Sequence, residues 1–206
     1  MAYFPMFMEL KNELCVVIGG GLVAYRKIKA LLEFDASVAA VAPEFCESIL
    51  ALEGQIITKY KLYDTSDIAE AFLVIAATND IDINTRISME CREHKIPVNV
   101  VDIKKECSFI FPAYVKKGAI TVGVTSSGKS PIISQKIKKK IKENIPDYME
   151  ELVEFLGDVR EEVRLSFDQE TKRKNVLKQL VEFGCLNHGK LTEMDVQEII
   201  RKEKEN

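Results

Sequence analysis

The sequence predicts an α/β protein whose first half forms a doubly wound parallel sheet. Short apolar runs alternate there with amphipathic helical segments, which is the pattern of successive β-α-β units. The runs 14–18 and 72–77 are apolar at every position, as expected for parallel strands that are covered on both faces. After residue 102 the alternation ends, and the chain continues with a short β region and then with helices.

The elements of the first half follow from apolar spacing and from capping residues. The apolar side chains of segment 22–34 form a stripe with helical spacing. Asp80 is a suitable N-cap for a helix over 82–94, whose apolar side chains recur every four residues. We predict strands at 3–10, 14–18, 37–42, 55–60, 72–77 and 97–101, and helices at 22–34, 44–52, 65–72 and 82–94.

The second half is predicted to contain a hairpin followed by helices. Ser130 is a suitable N-cap for a helix that has Pro131 at its first position. The basic run 136–142 is predicted to lie on a solvated face of this helix, with Ile137 and Ile141 turned inward. A role in steering anions is the alternative. We predict strands at 107–112, 113–116 and 119–125, a hairpin turn at 116–118, and helices at 131–143, 147–167, 169–183 and 191–203.

The turn between strand 14–18 and helix 22–34 matches the pattern G-x-G-x-x-A, with Gly19, Gly21 and Ala24 in the marked positions. The first glycine permits a tight turn, the second lets the backbone approach a pyrophosphate, and the alanine lets the helix pack close to the strand. The N–H groups at the start of the helix then point at the phosphates. This context predicts a Rossmann-type fold with a bound dinucleotide, against the alternative of a plain tight turn.

Polar residues follow several of the predicted strands. Ligands of an open parallel sheet bind beyond the carboxyl ends of its strands, near the point where the strand order reverses. We therefore expect the polar strand ends to form one site. They are Gly19-Gly20-Gly21, Pro43-Glu44, Thr78-Asn79-Asp80 and the segment from Asn99 to Asp102.

The end of the second strand indicates which dinucleotide binds. An adenosine 2′-phosphate calls for an arginine or a lysine nearby, whereas a free 2′-hydroxyl suits an acid. The chain has Pro43 and Glu44 there, without a base, which favours NAD over NADP. The alternative is that Glu44 only opens the following helix, where an acid is favourable in any case.

Asp102 is the strongest candidate for a catalytic residue. It directly follows the fifth predicted strand, so that it is expected at the nicotinamide end of the site. A carboxylate there accepts a proton while a hydride leaves for the cofactor. We expect partial burial to raise its pKa and to make it a better base. The alternative is an aspartate that only caps or forms a turn.

Composition and charge argue against several classes of protein. The 206 residues are 47% apolar and 30% charged, and the net charge of −3 gives no general signal for nucleic-acid binding. No apolar run reaches transmembrane length, and the start of the chain lacks the basic region of a signal peptide. Five cysteines without a C-x-x-C pair predict reduced thiols in the cytoplasm, and the presence of only two histidines argues against a dedicated zinc site.

A series of motifs resembles the precorrin-2 dehydrogenase family, which is the dehydrogenase/ferrochelatase portion of siroheme synthases. The similarity runs in order from residue 3 to about residue 183. The motifs are Pro5-Met-Phe-Met-Glu-Leu, Gly19-Gly-Gly-Leu-Val-Ala-Tyr-Arg-Lys27, Ala76-Ala-Thr-Asn-Asp80, Asn99-Val-Val-Asp102, Ser108-Phe-Ile-Phe-Pro112 and Thr125-Ser-Ser-Gly-Lys-Ser-Pro131.

The resemblance implies NAD-dependent oxidation of precorrin-2 to sirohydrochlorin, on the route to siroheme or cobalamin. It also implies a homodimer and a form without a methyltransferase domain. Some members of the family also insert Fe²⁺ into sirohydrochlorin and others do not, and the residues of this chain do not decide whether it does. A chelatase activity would make Fe²⁺ or Co²⁺ a further substrate. The implied domains are an NAD-binding Rossmann domain over 1–112, a dimerisation region over 113–145 and a helical domain over 146–206.

The resemblance also assigns roles to individual residues. Asp102 is the catalytic aspartate, and Asn99, Ser126 and Lys129 are expected to face the substrate. Lys129 either holds a carboxylate of precorrin-2 or only faces solvent, and Ser127 stands where the family often has a glycine. The residues expected to bind NAD are Gly19, Gly21, Leu22, Val23, Pro43, Glu44, Thr78 and Asn79.

Two other functions compete with this interpretation. A regulatory module that binds NAD and signals through its helices accounts for the glycines, but it gives no reason for Asp102 or for the loop 126–131. An ordinary alcohol dehydrogenase is disfavoured because we find neither a Tyr-x-x-x-Lys pair nor a zinc cluster.

Overall fold

The computed structural model describes residues 3–205. The chain divides into two compact units, Met1–Phe111 and Pro112–Asn206. The three-domain division expected from the resemblance, with its boundary near residue 145, stays a prediction.

The first unit is built on a five-stranded parallel sheet. Its strands are β1 (Leu14–Ile18), β2 (Ser37–Ala42), β3 (Ile57–Tyr60), β4 (Leu73–Ala76) and β5 (Val98–Val100). They lie in the order β3-β2-β1-β4-β5 and all neighbours are parallel. The strand order therefore reverses between β1 and β4, and the predicted doubly wound fold class is confirmed.

Helices cover both faces of this sheet. They are α1 (Leu22–Leu32), α2 (Glu47–Leu50) and α3 (Ile81–Glu93). Cys15 and Val17 of β1 belong to the core beneath α1 and α2, whereas Val16 and Ile18 belong to the core beneath α3. This double coverage explains why β1 is apolar at every position. Asp80 is the N-cap of α3, as predicted, and its carboxylate accepts hydrogen bonds from the first turn.

Three predicted elements of the first unit are wrong or shortened. Residues 3–10 form no strand, and the side chain of Phe4 is 88% exposed, because no sheet edge accepts this backbone within the described residues. The segment 65–72 contains only a single 3-10 turn, Thr65–Ile68, which Asp64 caps. The helix expected over 44–52 is reduced to α2, which has a single turn.

The predicted strand 107–112 is also wrong, for a different reason. The Val98 N–H donates to Ser108 Oγ at 2.7 Å, and the Val100 N–H donates to Cys107 Sγ at 3.2 Å. Side chains thus satisfy backbone donors at the outer edge of β5 that a neighbouring strand would otherwise take. The segment runs beside β5 without forming a ladder with it.

The second unit combines a β-hairpin with four helices. Its elements are β6 (Ala113–Lys117), β7 (Ile120–Val124), α4 (Pro131–Asn144), α5 (Met149–Ser166), α6 (Glu170–Leu186) and α7 (Glu193–Glu205). The hairpin turns at Gly118, whose φ of +55° suits glycine. The predicted turn over 116–118 includes this residue, but β6 continues to Lys117. Ser130 caps α4 as predicted, with the Ile133 N–H donating to its Oγ at 3.3 Å.

The helices of the second unit differ in how much apolar surface they bury. Helices α5, α6 and α7 share one apolar core that includes Leu152, Val163 and Leu180. Helix α4 buries only Ser134. Ile137 was predicted to turn inward, but its side chain is 43% exposed, so this prediction is wrong for the single chain.

Three further findings concern the thiols, the metal-ligating side chains and the helices of the described chain. All five cysteines are free thiols, and burial raises the pKa of Cys15 and of Cys91 to about 12. Within residues 3–205, no three or more His, Cys, Asp or Glu side chains are arranged to hold a metal ion. In the same range no helix has both the length and the apolar character that crossing a membrane requires.

Two helical glycines of the second unit give a matched stability test. A Cβ at Gly184 of α6 would lie 2.5 Å from Leu152 Cδ1, whereas a Cβ at Gly157 of α5 would meet none of the described atoms within 4 Å. We expect Gly184→Ala to lower the free energy of unfolding by about 1–3 kcal/mol through overpacking. Gly157→Ala is expected to raise it by roughly 0.5–1 kcal/mol, because alanine is the better helix former. Denaturant unfolding of both variants measures the difference, and equal effects would contradict this packing.

Candidate functional site

The first unit has a cleft of about 560 Å³ at the carboxyl ends of its central strands. It lies where the strand order reverses, between the turn that follows β1 and the turn that follows β4. The structure therefore brings together polar strand ends that are far apart in sequence. Of the predicted cofactor-binding residues, Gly19, Gly21, Pro43, Glu44, Thr78 and Asn79 all line this cleft.

Gly19 makes the turn after β1 possible. Its φ is +136°, a conformation that residues with a side chain rarely adopt. A Cβ at this position would lie 2.3 Å from the carbonyl oxygen of Ala77, directly after β4. The Gly19 N–H donates to the Val41 carbonyl of β2 at 2.9 Å. The first glycine of the motif therefore holds the ends of three strands in contact.

Gly20 is a structural residue that the sequence motif leaves unspecified. A Cβ there would lie 1.8 Å from the carbonyl oxygen of Glu44, which is far inside van der Waals contact. The Gly20 carbonyl accepts a hydrogen bond from the Cys46 N–H at 2.8 Å. The loop after β2 is thus packed directly on the glycine turn. The sequence signal was a third glycine where the motif requires only two.

Gly21 is the N-cap of helix α1 and leaves the N-terminus of the helix open. In the described chain no side chain caps this helix, and its first turn contains no acid. A Cβ at Gly21 would meet no described atom within 4 Å, so the space in front of the helix is free. Leu22 and Val23 follow in the first turn and are 57% and 41% exposed. Free N–H groups at a helix N-terminus, reached across a glycine, fit a pyrophosphate.

Glu44 is an exposed residue at the edge of the cleft. Helix α2 begins at Glu47 with Cys46 as its N-cap, so Glu44 precedes the helix by three residues. The alternative that Glu44 serves only to open this helix is therefore wrong. Its carboxylate stays available to a ligand at the end of β2.

Thr78 is held in place by a residue that sequence reasoning missed. Asn84 of α3 is buried, and its Oδ1 accepts hydrogen bonds from the Thr78 N–H at 3.2 Å and from Thr78 Oγ1 at 2.8 Å. The Asn84 Nδ2 donates to the Thr78 carbonyl at 3.0 Å. One buried amide thus fixes both backbone polar groups of a residue that lines the cleft. A buried asparagine inside a helix was the available signal.

The far wall of the cleft includes Tyr63, which is also anchored by α3. Its hydroxyl donates to Glu90 at 2.5 Å, and the Arg86 guanidinium lies 5.4 Å from the centre of its ring. Burial, together with the hydrogen bond to the Glu90 carboxylate, raises the pKa of Tyr63 well above its usual value. The phenol therefore stays protonated, and its hydrogen bond to Glu90 fixes the position of the side chain in the lining of the cleft.

Asp102 lies at the carboxyl end of β5 on the same edge of the sheet, but it does not line the cleft. Its φ is +62° and its side chain is exposed, so the expected partial burial is wrong for the single chain. The reason is that β5 ends at Val100 and that residues 101–102 form a turn. Cys107 fixes this turn, because its Sγ bonds both the N–H and the carbonyl of Val100 at 3.2 Å.

The three residues expected to face the substrate have different surroundings. Asn99 is buried, and its Nδ2 donates to the Phe109 carbonyl at 3.1 Å, so that donor already has a partner. Ser126 and Lys129 belong to the second unit, in the loop between β7 and α4. The Ser130 N–H donates to Ser126 Oγ at 2.9 Å, and Lys129 is exposed. Contact of these residues with substrate stays a prediction.

A protein-family model matches residues 6–113, and its description is "Putative NAD(P)-binding". The match covers the five strands of the parallel sheet and the whole cleft. The chain belongs to this NAD(P)-binding family. The match agrees with the dinucleotide site predicted from the glycine turn.

Curated relatives confirm the expected resemblance to siroheme synthases. The siroheme synthase of Ruthia magnifica subsp. Calyptogena magnifica is 35% identical over 176 residues, which are 84% of this chain and 37% of that protein. The siroheme synthase of Nitrosospira multiformis is 35% identical over 180 residues, which are 84% of this chain and 38% of that protein. The chain thus spans less than two fifths of the length of these relatives.

A solved structure described as SirC, precorrin-2 dehydrogenase, has the same fold. The TM-score is 0.81, and the match covers 99% of this chain and 100% of that chain. The sequence identity is 22%. At this identity the match shows that the two proteins share a fold, and it does not show that they share an activity.

The glycine turn gives a test that separates folding from binding. We expect Gly20→Ala to lower the free energy of unfolding by about 2 kcal/mol or more, because its Cβ meets the Glu44 carbonyl. Gly21→Ala is expected to keep the stability but to weaken dinucleotide binding by about tenfold, because its Cβ enters the phosphate space. Thermal unfolding and calorimetric titration with NAD⁺ measure the two effects. Unchanged affinity in Gly21→Ala would contradict the pyrophosphate assignment.

Proposed function

We propose that this chain oxidises precorrin-2 to sirohydrochlorin with NAD⁺ as the hydride acceptor. The observation that carries the proposal is that an open dinucleotide cleft and Asp102 lie on one edge of the same sheet. The similarity to siroheme synthases over 84% of the chain supports a tetrapyrrole as the substrate. The family match supports the dinucleotide.

NAD rather than NADP is supported by the end of β2. The exposed carboxylate of Glu44 lies at the edge of the cleft and suits a free ribose hydroxyl. The same charge repels a 2′-phosphate. The pyrophosphate would lie at Gly21, Leu22 and Val23, in front of the open end of α1.

The oxidation removes a hydride and a proton from the macrocycle. NAD⁺ supplies the acceptor for the hydride when it is bound. Asp102 accepts the proton, because its exposed carboxylate stands at the end of a rigid strand and its turn is fixed by Cys107. As the resemblance implies, Ser126 contacts the substrate, and the exposed ammonium group of Lys129 pairs with a carboxylate of precorrin-2.

The direct experiment is an anaerobic assay with precorrin-2 and NAD⁺, followed through the absorption spectrum of sirohydrochlorin. We expect NADH and sirohydrochlorin to form in equal amounts. Dinucleotide binding without turnover would favour a regulatory module instead. Repeating the assay with Fe²⁺ or Co²⁺ tests whether the chain also inserts a metal ion as a second substrate. A cytoplasmic location, which would supply these substrates, stays a prediction.

Asp102→Asn tests the catalytic assignment. Asparagine tolerates the left-handed backbone at this position and keeps the shape of the side chain, but it cannot act as the base. We expect kcat to fall by about 10²–10⁴-fold while the affinity for NAD⁺ is unchanged.

Asp35→Asn is the matched control for this variant. Asp35 is also exposed and left-handed, with a φ of +57°, but it precedes β2 at the opposite end of the strands. This control should retain the kcat of the unaltered protein. Full activity of Asp102→Asn would remove Asp102 from the catalytic role.

The predicted homodimer is supported by apolar side chains of α4. Ile132, Ile133 and Ile137 are 83%, 55% and 43% exposed in the single chain. We expect Ile132→Glu to weaken self-association by about tenfold or more, because a charge replaces a side chain that the dimer would bury. Leu165→Glu on α5, where the leucine is 73% exposed, is the control. Sedimentation velocity measures both variants, and a monomeric unaltered protein would contradict the dimer.

A further inference from the structure

We infer that Asp67 is a positioning residue for cofactor selectivity. It holds Lys59 and Lys61 away from the adenosine ribose, so that the site favours a dinucleotide without a 2′-phosphate. This inference rests on the proposed cofactor site and extends it to a residue outside the cleft. The sequence motif assigns no role to Asp67, Lys59 or Lys61.

The first step is the position of the two lysines. The sequence shows no base directly after β2, but strand β3 lies beside β2. Lys59 belongs to β3, and Lys61 directly follows its last residue. Lys59 is the register partner of Val41, near the carboxyl end of β2. The Lys61 N–H donates to the Ala42 carbonyl at 3.1 Å. The backbones of both lysines therefore lie beside the carboxyl end of β2, which is followed by Pro43 and Glu44.

The second step is what binds their ammonium groups. Lys59 Nζ lies 3.2 Å from Asp67 Oδ1, and Lys61 Nζ lies 2.9 Å from Asp67 Oδ2. The Asp67 side chain is only 2% exposed, whereas the two lysine side chains are 43% and 41% exposed. Two cations of the sheet edge thus converge on one buried carboxylate.

The third step is the charge state of Asp67. Burial by itself would raise the pKa of this carboxyl group, but hydrogen bonds from Lys61, from the Asp64 N–H and from Lys59 hold its pKa below the usual value. The carboxylate is therefore ionised near neutral pH. Moving either lysine to a ligand would leave a buried anion with less compensation, which is costly.

The consequence concerns the adenosine end of the cleft. A 2′-phosphate there would compete with Asp67 for the two ammonium groups, and it would meet the exposed carboxylate of Glu44, which lines the cleft. It would gain little attraction, because neither ammonium group is free to move to it. A free 2′-hydroxyl of the ribose carries no charge, so its binding does not depend on a released lysine. The protein thus discriminates between NAD and NADP in two ways. The ion pairs of Asp67 hold the lysines beside β2, and Glu44 places an acid after β2.

The experiment measures dissociation constants of NAD⁺ and of NADP⁺ for the full chain by calorimetric titration. In Asp67→Asn the amide keeps an oxygen acceptor but loses the charge that restrains the lysines. We expect NADP⁺ to bind about tenfold more tightly relative to NAD⁺ than it does to the unaltered protein. Adding both Lys59→Met and Lys61→Met to this variant should restore the original ratio, because the two released cations are then absent.

Asp64→Asn is the matched control, because it makes the same change of net charge in the same turn. Asp64 is exposed and caps the turn through Ser66, and it forms no ion pair with either lysine at salt-bridge distance in the described chain. The ratio of affinities should stay within about twofold of the original in this control. An equal shift in both variants would assign the effect to net charge and would overturn the inference.

A second measurement keeps the inference testable if Asp67→Asn does not fold. Lys61→Met alone should leave the affinity for NADP⁺ unchanged within about twofold. A loss of NADP⁺ affinity would show that Lys61 already contacts the phosphate, and it would overturn the inference. Binding of neither dinucleotide would overturn the cofactor site itself. Binding without oxidation of precorrin-2 would contradict the proposed function, while the affinity ratio would still decide the role of Asp67.

Discussion

The site depends on one steric constraint, which is the absence of side chains at the turn after β1. The backbone of Gly19 lies against the Ala77 carbonyl, and the backbone of Gly20 lies against the Glu44 carbonyl. These contacts hold the ends of β1, β2 and β4 together and leave the N-terminus of α1 open towards the cleft. The anion-binding geometry is therefore a consequence of close backbone packing, because no charged side chain is needed to create it.

Side chains that bond to backbone hold in place the rest of the cleft and the turn that carries Asp102. Asn84 fixes both polar groups of Thr78, and Cys107 fixes the turn that carries Asp102. In both cases a side chain from a later segment replaces a hydrogen bond that regular structure would supply. The functional turns can therefore leave the sheet geometry and still be well defined.

Much of the fold was predictable because local patterns carry it. β1 and β2 begin and end at the predicted residues, since continuous apolar runs bounded by turn residues are typical of buried parallel strands. The segments 3–10 and 107–112 have comparable apolar content but are not strands. A strand needs an edge that accepts its backbone. At β5 the side chains of Ser108 and Cys107 occupy donors on that edge instead.

The sequence by itself determined the five strands of the parallel sheet, helices α1 and α3, the glycine turn and the acid that follows β2. These features are encoded by neighbours along the chain, through apolar period and allowed φ values. Only the tertiary structure decided that Lys59 and Lys61 stand beside the end of β2 and are bound by Asp67. It also decided that Asp102 is exposed in the single chain. Pairing between strands and burial of a charge depend on groups that are distant in sequence, so no local pattern specifies them.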